Sequence, residues 1–257
     1  MAWHKFPYPD KTYSYAGTAL KENWARLHRG DCEPFPDDAK VQEAWRSYHA
    51  GDFGQAIENG LACGLAGYNV ANKAATIYAG YLETDDEHKR SLLTEVAQRC
   101  EEQQEKTPSD VNAWYLHAFA LGRYSQSISV VKALAQGLGG KIRNSLTRAI
   151  ELEPSHADAR VALGAYHAEV IDKVGALVGG ITYGAKKDTG KELLATALKL
   201  NPDSAITRIE YANALVLMFG KAKMAEAERL YQEAAACVPM DAMERLDVEA
   251  AKEELAD

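Results

Sequence analysis

Cysteine is scarce in this chain of 257 residues, and a long uncharged apolar run is missing. The four cysteines, Cys32, Cys63, Cys100 and Cys237, are far apart and form no C-x-x-C pair. A zinc or redox motif of that kind is therefore excluded, and the spacing suits a reducing compartment. No apolar run reaches the roughly 18 residues of a membrane-spanning helix, and the N-terminus lacks the apolar region of a signal peptide. We therefore expect a cytoplasmic protein.

Basic residues are fewer than acidic residues. The chain has 29 Lys and Arg residues against 37 Asp and Glu residues, which gives a net charge of −8. Proteins that bind nucleic acid without sequence preference are usually basic, so we expect no nucleic-acid partner. The charge is uneven, because 131–150 carries four cations and no acid, whereas 241–257 carries seven acids and two cations.

Four prolines punctuate the chain after residue 100, namely Pro108, Pro154, Pro202 and Pro239. Each follows a helix-like run and precedes another, and proline cannot continue a helix because it lacks the N–H group. An Asp, His or Ser shortly after the proline can supply the N-cap of the next helix. The spacings of 46, 48 and 37 residues exceed a 34-residue unit by 12, 14 and 3. A fixed unit with variable insertions is typical of a helical repeat array.

This pattern resembles the tetratricopeptide repeat (TPR), a helix–turn–helix unit whose first helix we call helix A and whose second we call helix B. Helix A markers in this family are a bulky residue, a Leu and a small residue. A Gly and an aromatic residue mark the turn, alanines mark helix B, and a Pro closes the unit. Matching residues are Ala44, Gly51, Phe53 and Ala56; Trp114, Ala118 and Leu121; Leu163 and Gly164; and Ala212, Gly220 and Ala227.

The resemblance implies an all-α fold, a TPR-like α-α superhelix (solenoid) with N- and C-terminal capping helices. We expect an aromatic-rich capping segment over 1–37, the repeat array over 38–240 and an acidic capping helix over 241–257. Insertions near 126–140 and 170–188 depart from the repeat, and each is expected to extend helix A and add a glycine-rich elbow. In this respect the chain is loosely similar to the T component associated with some bacterial TRAP transporters.

The first 50 residues hold 9 of the 22 aromatic side chains. Such density is costly to leave in water, so this segment is expected to pack on something. One interpretation is a cap over the first repeat. The other is a docking surface for a partner or a second copy of the chain, which would make a homo-oligomer.

Three short motifs bear on possible chemistry. GLGGK at 137–141 fails as a phosphate loop, because Ala135 and Ile142 stand where Gly and Ser or Thr are needed. HRGDCE at 28–33 groups several metal-ligand types, but a turn after a helix that ends in cations and Gly explains the same letters. His117, within an apolar run, is interpreted as a hydrogen-bonded core residue. We therefore expect no enzyme, no metal site and no cofactor.

Helix A residues line the concave side of a stack of helix pairs, and they mix apolar and hydrogen-bonding groups as a peptide groove does. The groove residues predicted from the repeat register are Asn112, Tyr115, Phe119, Arg123, Asp158, Val161, Ile209, Asn213 and Val216.

The favoured function is a non-catalytic scaffold that binds a protein or peptide, with no membrane partner. The alternative is a small hydrophobic ligand or an anionic membrane surface, bound by the glycine-rich inserts beside Lys132, Lys141, Lys186 and Lys187. A third hypothesis, an enzyme with catalytic residues far apart in sequence, would require a deep polar pocket.

Overall fold

A computed structural model describes residues 3–256 of the chain. Within these residues the chain forms fourteen α-helices and three short 3-10 helices, and it forms no β-strand. The predicted all-α class is confirmed. Met1, Ala2 and Asp257, which belong to the predicted terminal segments, lie outside the described residues.

The chain divides into two compact units. The first consists of Met1–His28, Glu33–Leu152 and Met240–Met243, and the second of Arg29–Cys32, Glu153–Pro239 and Glu244–Asp257. Each unit therefore takes a short segment from a distant part of the chain. The two units do not test the predicted boundaries between capping segments and repeat array. These boundaries, at 37/38 and 240/241, stay a prediction.

The first unit is built from three helix pairs and a short N-terminal helix. Its helices are α1 (Ala19–Leu27), α2 (Ala39–Ala50), α3 (Phe53–Ala62), α4 (Tyr68–Tyr81), α5 (Asp86–Lys106), α6 (Val111–Gln126), α7 (Val130–Ala135) and α8 (Leu138–Leu152). The pairs are α2 with α3, α4 with α5, and α6 with α8. At the turn of the first pair, Gly51 takes the left-handed conformation with φ of 86°, and Asp52 caps α3. Gly and Asp are the residues that such a turn favours.

The second unit repeats this plan with two pairs and a terminal helix. Its helices are α9 (Ala157–Val174), α10 (Ala176–Tyr183), α11 (Lys187–Leu200), α12 (Ala205–Phe219), α13 (Met224–Ala235) and α14 (Ala242–Ala256), the last from Glu244 onward. Its pairs are α9 with α11 and α12 with α13. Leu194, Leu215 and Met218 lie in its main core, where alanines allow the helices to approach closely.

The four prolines lie in the turns where they were predicted. Pro108, Pro154, Pro202 and Pro239 fall between α5 and α6, α8 and α9, α11 and α12, and α13 and α14. Three of the following helices are capped by the predicted residue types. The side chains of Asp110, His156 and Ser204 each accept a hydrogen bond from a backbone N–H of the first turn.

The two insertions form short helices joined by glycine elbows. α7 follows α6 and α10 follows α9, so each insert separates helix A from helix B of its pair. Gly137, Gly175 and Gly184 have positive φ angles of 65°, 81° and 66°. Residues with a Cβ rarely adopt this conformation, which explains the glycines that the sequence places there.

The N-terminal aromatic residues pack inside the first unit. The indole rings of Trp24 and Trp45 meet edge to face with centroids 5.7 Å apart, and Phe6 contacts Phe53 in the same manner at 6.3 Å. The hydroxyl of Tyr15 donates to the carbonyl oxygen of Met240 at 2.6 Å. These contacts favour the interpretation of the N-terminal segment as a cap on α2 and α3.

Candidate functional site

Three of the predicted groove residues form a stacked series on α6. Tyr115, Phe119 and Arg123 are four residues apart and therefore share one face of the helix. The rings of Tyr115 and Phe119 are stacked, with centroids 5.8 Å apart and planes at 13°. The guanidinium carbon of Arg123 lies 5.6 Å from the centroid of the Phe119 ring, within cation–π range. We call these three residues the α6 ladder.

The α6 ladder is graded from buried to accessible. Tyr115 is buried, whereas Phe119 and Arg123 are half-buried. Arg123 also donates from Nη1 to the Oε1 atom of Gln126 at 3.2 Å, which helps to fix the guanidinium plane. A held guanidinium beside an aromatic face can receive a carboxylate and a planar or apolar group side by side. This chemistry matches a peptide side chain.

Asn112 is the fourth predicted residue on α6, and its side chain forms a hydrogen bond within the protein. Its side-chain amide donates to Oε2 of Glu33 at 2.6 Å, and the amide of Asn69 donates to the same oxygen at 2.9 Å. Asn69 also lies 3.3 Å from Oδ1 of Asp110, and Gln103 donates to Oδ2 of Asp110 at 2.9 Å. Amide donors thus satisfy two neighbouring carboxylates, and Asn112 is buried under Glu33.

Sequence reasoning missed Glu33 and Asn69, although a signal for part of this arrangement was present. Asn69, Asn112 and Asp158 each occupy the second position of a helix A, in α4, α6 and α9. A recurring polar residue at one register position of a repeat indicates a shared contact. Glu33 itself carries no such signal, because it is 36 residues from Asn69 and 79 from Asn112.

Residues 29–32 of the HRGDCE segment form a turn and make contacts within the second unit. The carbonyl oxygen of Gly30 accepts a hydrogen bond from the backbone N–H of Asp158 at 3.0 Å. Arg29 forms an ion pair with Asp203 at 2.6 Å, and Cys32 lies 3.7 Å from the hydroxyl of Ser155. The predicted turn is present, but Cys32, rather than Gly30, has the positive φ, at 51°. A Cβ on Gly30 would lie 2.2 Å from Oδ1 of Asp158, so close packing is what requires this glycine.

The remaining predicted residues differ in accessibility. Val161 is buried in the core of the second unit, and Asp158 and Ile209 are half-buried. Asn213 and Val216 are exposed, three residues apart on α12, and Oδ1 of Asn213 accepts from the Tyr231 hydroxyl at 2.6 Å. The pair on α12 is therefore the most accessible part of the predicted set, whereas Phe119 and Arg123 of the α6 ladder are half-buried like Asp158 and Ile209.

A buried histidine–aspartate pair is the arrangement most like an acid–base site. Nδ1 of His49 lies 2.8 Å from Oδ2 of Asp241, and the His28 ring lies 5.2 Å from the His49 ring. Trp24 and Trp45 enclose these rings, and the His49 and Asp241 side chains are 1% and 3% exposed. A substrate cannot reach atoms at this depth without unfolding. The pair therefore anchors residues 240–243 to α2.

Two cysteine thiols have pKa values unsuited to nucleophilic catalysis. Burial raises the pKa of Cys32 and the pKa of the fully buried Cys100. Both groups are therefore protonated at neutral pH, whereas a nucleophilic cysteine needs the thiolate. Within residues 3–256, no group of three or more His, Cys, Asp or Glu side chains is arranged to hold a metal ion.

Among the described helices, none combines the length and the apolar character that crossing a bilayer requires.

Comparison with known proteins identifies the fold. The crystal structure of TTC0263, a thermophilic TPR protein in Thermus thermophilus, matches with a TM-score of 0.58 over 83% of this chain and 97% of that chain. The fold is TPR-like. The sequence identity is 15%, so the likeness concerns the fold alone. No protein-family model and no curated protein matches the sequence.

Proposed function

We propose that this protein is a non-catalytic binding module, a divergent array of tetratricopeptide-like repeats that holds a segment of a partner protein against its A helices. The TPR-like fold supports an interaction role in general. The α6 ladder is the observation that carries the proposal, because it places two aromatic rings and a guanidinium in one stacked line on a helix A.

The side chains of the α6 ladder indicate which kind of partner peptide would bind. Arg123 would pair with a carboxylate, and the half-buried ring of Phe119 would pack on an apolar or aromatic side chain. We therefore propose an acidic peptide segment that carries an apolar or aromatic residue. Asn112 would act indirectly, through its bond to Glu33.

The second unit would contribute contacts of its own to a partner. Asn213 and Val216 on α12 would supply a hydrogen bond and an apolar contact, because both side chains are exposed. Val161 is buried and would support the neighbouring backbone, whereas the half-buried Asp158 and Ile209 would add partial contacts.

A catalytic role finds less support. The histidine–aspartate pair is enclosed by tryptophans, and the pKa of both Cys32 and Cys100 is raised by burial. A binding role requires neither an accessible base nor a thiolate.

A display library of random peptides, selected on the full chain, tests this proposal. The enriched peptide is then labelled, and its dissociation constant is measured by fluorescence anisotropy for the wild type, Phe119→Ala and Arg123→Ala. Each variant is expected to bind about tenfold or more weakly, because truncation of a central aromatic or Arg anchor commonly costs more than about 1 kcal/mol. Lys199→Ala, an exposed change on α11, is the matched control and is expected to bind like the wild type.

Two results would overturn the proposal. One is a selection that enriches no acidic peptide. The other is an enriched peptide whose affinity is the same for the wild type, Phe119→Ala and Arg123→Ala.

A further inference from the structure

The short helix α7 leaves most of its apolar side chains in water. Val131 is 77% exposed, and Val130 and Leu134 are 43% and 44% exposed. Leu134 is four residues after Val130 and three after Val131, so it lies between them and the three side chains share one side of the helix. Since α7 packs chiefly on α8, its outward side is covered by no other part of the described chain.

The chain around α7 is positively charged. Lys132, Lys141 and Arg143 are exposed, and residues 127–150 contain no Asp or Glu. Glu101 on α5 lies 3.6 Å from Nζ of Lys141 and offsets part of this charge. The surface therefore combines three exposed apolar side chains with a local excess of cations, on a protein whose net charge is −8.

These features fit an anionic bilayer better than they fit a second protein. Helices that lie in the membrane interface insert apolar side chains below the headgroups while Lys and Arg contact acidic lipids. A stable protein interface buries on the order of 1,200 Å² or more, which three aliphatic side chains on a six-residue helix do not supply. Shallow insertion needs no such area and uses the cations directly.

The second insert offers a comparison within the same chain. Leu177 and Ile181 on α10 are 77% and 80% exposed, so their apolar exposure equals or exceeds that of α7. The flanking charges differ, because Asp172 and Asp188 accompany the lysines at 173, 186 and 187. We therefore expect an anionic membrane surface to bind the first insert more strongly than the second.

We propose that α7 and the first turns of α8 form a docking surface for an anionic lipid membrane. Val130, Val131 and Leu134 enter the interface, and Lys132, Lys141 and Arg143 contact the acidic headgroups. This surface goes beyond the proposed peptide-binding function and does not depend on it.

Vesicle flotation with the full chain tests the proposal. The vesicles are phosphatidylcholine alone, or three parts phosphatidylcholine with one part phosphatidylglycerol, at low and at high salt. The variants are Val131→Ser/Leu134→Ser, Lys132→Glu and the matched control Leu177→Ser/Ile181→Ser. All the changed side chains are exposed, and a thermal melt for each variant checks that the fold is retained.

The wild type is expected to float with the anionic vesicles at least about fivefold more than with neutral ones, and to lose this binding at high salt. Both α7 variants should lose most of the binding, whereas the α10 control should keep it. The proposal is overturned if the wild type does not float, floats equally with both vesicles, or floats unchanged when α7 is altered. An equal loss in the α10 control, or a wild-type dimer that the α7 variants convert to monomer without any flotation, would also overturn it.

Discussion

His117 shows how one buried side chain ties stability to pH. Its ring is 4% exposed, Nδ1 lies 2.8 Å from the Ser145 hydroxyl, and Nε2 lies 3.4 Å from Oε1 of Glu101. The sequence predicted this hydrogen-bonded core histidine from the apolar run around it. Burial lowers the pKa of His117, and the nearby Glu101 carboxylate opposes the shift only in part.

The direction of this shift gives a testable pH dependence. The unfolded chain takes up a proton on His117 near about pH 6.5, whereas the folded chain does so only at lower pH. The contribution of His117 to stability is therefore complete above about pH 6.5 and is lost as the pH falls toward the folded-state pKa. Urea unfolding should show that His117→Asn lowers the free energy of unfolding at neutral pH by about 1–3 kcal/mol.

The same variant should show a smaller loss of stability than the wild type when the pH is lowered from about 7.5 to about 5.5. His4→Asn, a change at an exposed histidine, is the control and should retain the pH dependence of the wild type. If the free energy of unfolding of His117→Asn varies with pH as it does in the wild type, groups other than His117 cause the pH dependence.

Two other residues show where sequence reasoning stops. Glu33 and Gly30 lie in a segment that the sequence identified only as a turn. Their partners, Asn112 and Asp158, are 79 and 128 residues away. Contacts over such separations depend on the register of whole helices, which a single sequence does not provide. Predicting Asn112 as a groove residue therefore located its helix face but not the carboxylate that covers it.

At the scale of the elements, the helix boundaries were the most predictable feature. A proline and a following capping residue act within one or two turns, so Asp110, His156 and Ser204 could be recognised from the letters alone. The elbows of the two inserts were predicted for the same reason, because Gly137 and Gly175 need positive φ angles. The exposure of α7 and α10 could not be predicted, since an apolar sequence ordinarily indicates burial.

The approach of α3 to the turn before α4 rests on a pair of glycines. A Cβ atom on Gly67 would lie 2.1 Å from the carbonyl oxygen of Gly60, so an alanine there must push the two segments apart. We expect Gly67→Ala to lower the free energy of unfolding by about 1–3 kcal/mol, the usual range for overpacking. Chemical denaturation followed by circular dichroism measures this change.

Gly80→Ala, near the C-terminal end of α4, is the matched control. A Cβ at this helical position meets nothing within 4 Å, and the residue is exposed. It should raise the free energy of unfolding by about 0.5–1 kcal/mol, because alanine loses less backbone entropy in a helix than glycine does. If both variants change the free energy of unfolding in the same direction, the close approach of Gly67 to Gly60 does not explain the effect of Gly67→Ala.

For the whole molecule, the repeat pattern predicted the fold class but not the division into two units. Repeats of one kind share composition, so no linker-like segment marks the boundary. The division also depends on Asp241, which joins the first unit through His49 although the two residues are 192 positions apart. A single sequence does not show which residues at such a separation will form a pair in the folded chain.

We predict a monomer, because four of the N-terminal aromatic residues are buried within the first unit. Phe6, Tyr13, Tyr15 and Trp24 are each at most 9% exposed inside the first unit, so they are not available to a second copy. The three exposed side chains of α7 fall short of the roughly 1,200 Å² that a stable interface buries. Light scattering coupled to size-exclusion chromatography should therefore give the monomer mass of 28.1 kDa at micromolar concentration.

Trp24→Ala separates the cap from an interface. In a cap, this change removes core packing and lowers the free energy of unfolding by about 3–5 kcal/mol, while the mass of the folded fraction stays that of a monomer. In an interface, it would instead convert a dimer into a monomer. A wild-type mass twice the monomer value that falls to the monomer value in Trp24→Ala would assign the aromatic segment to an interface between copies.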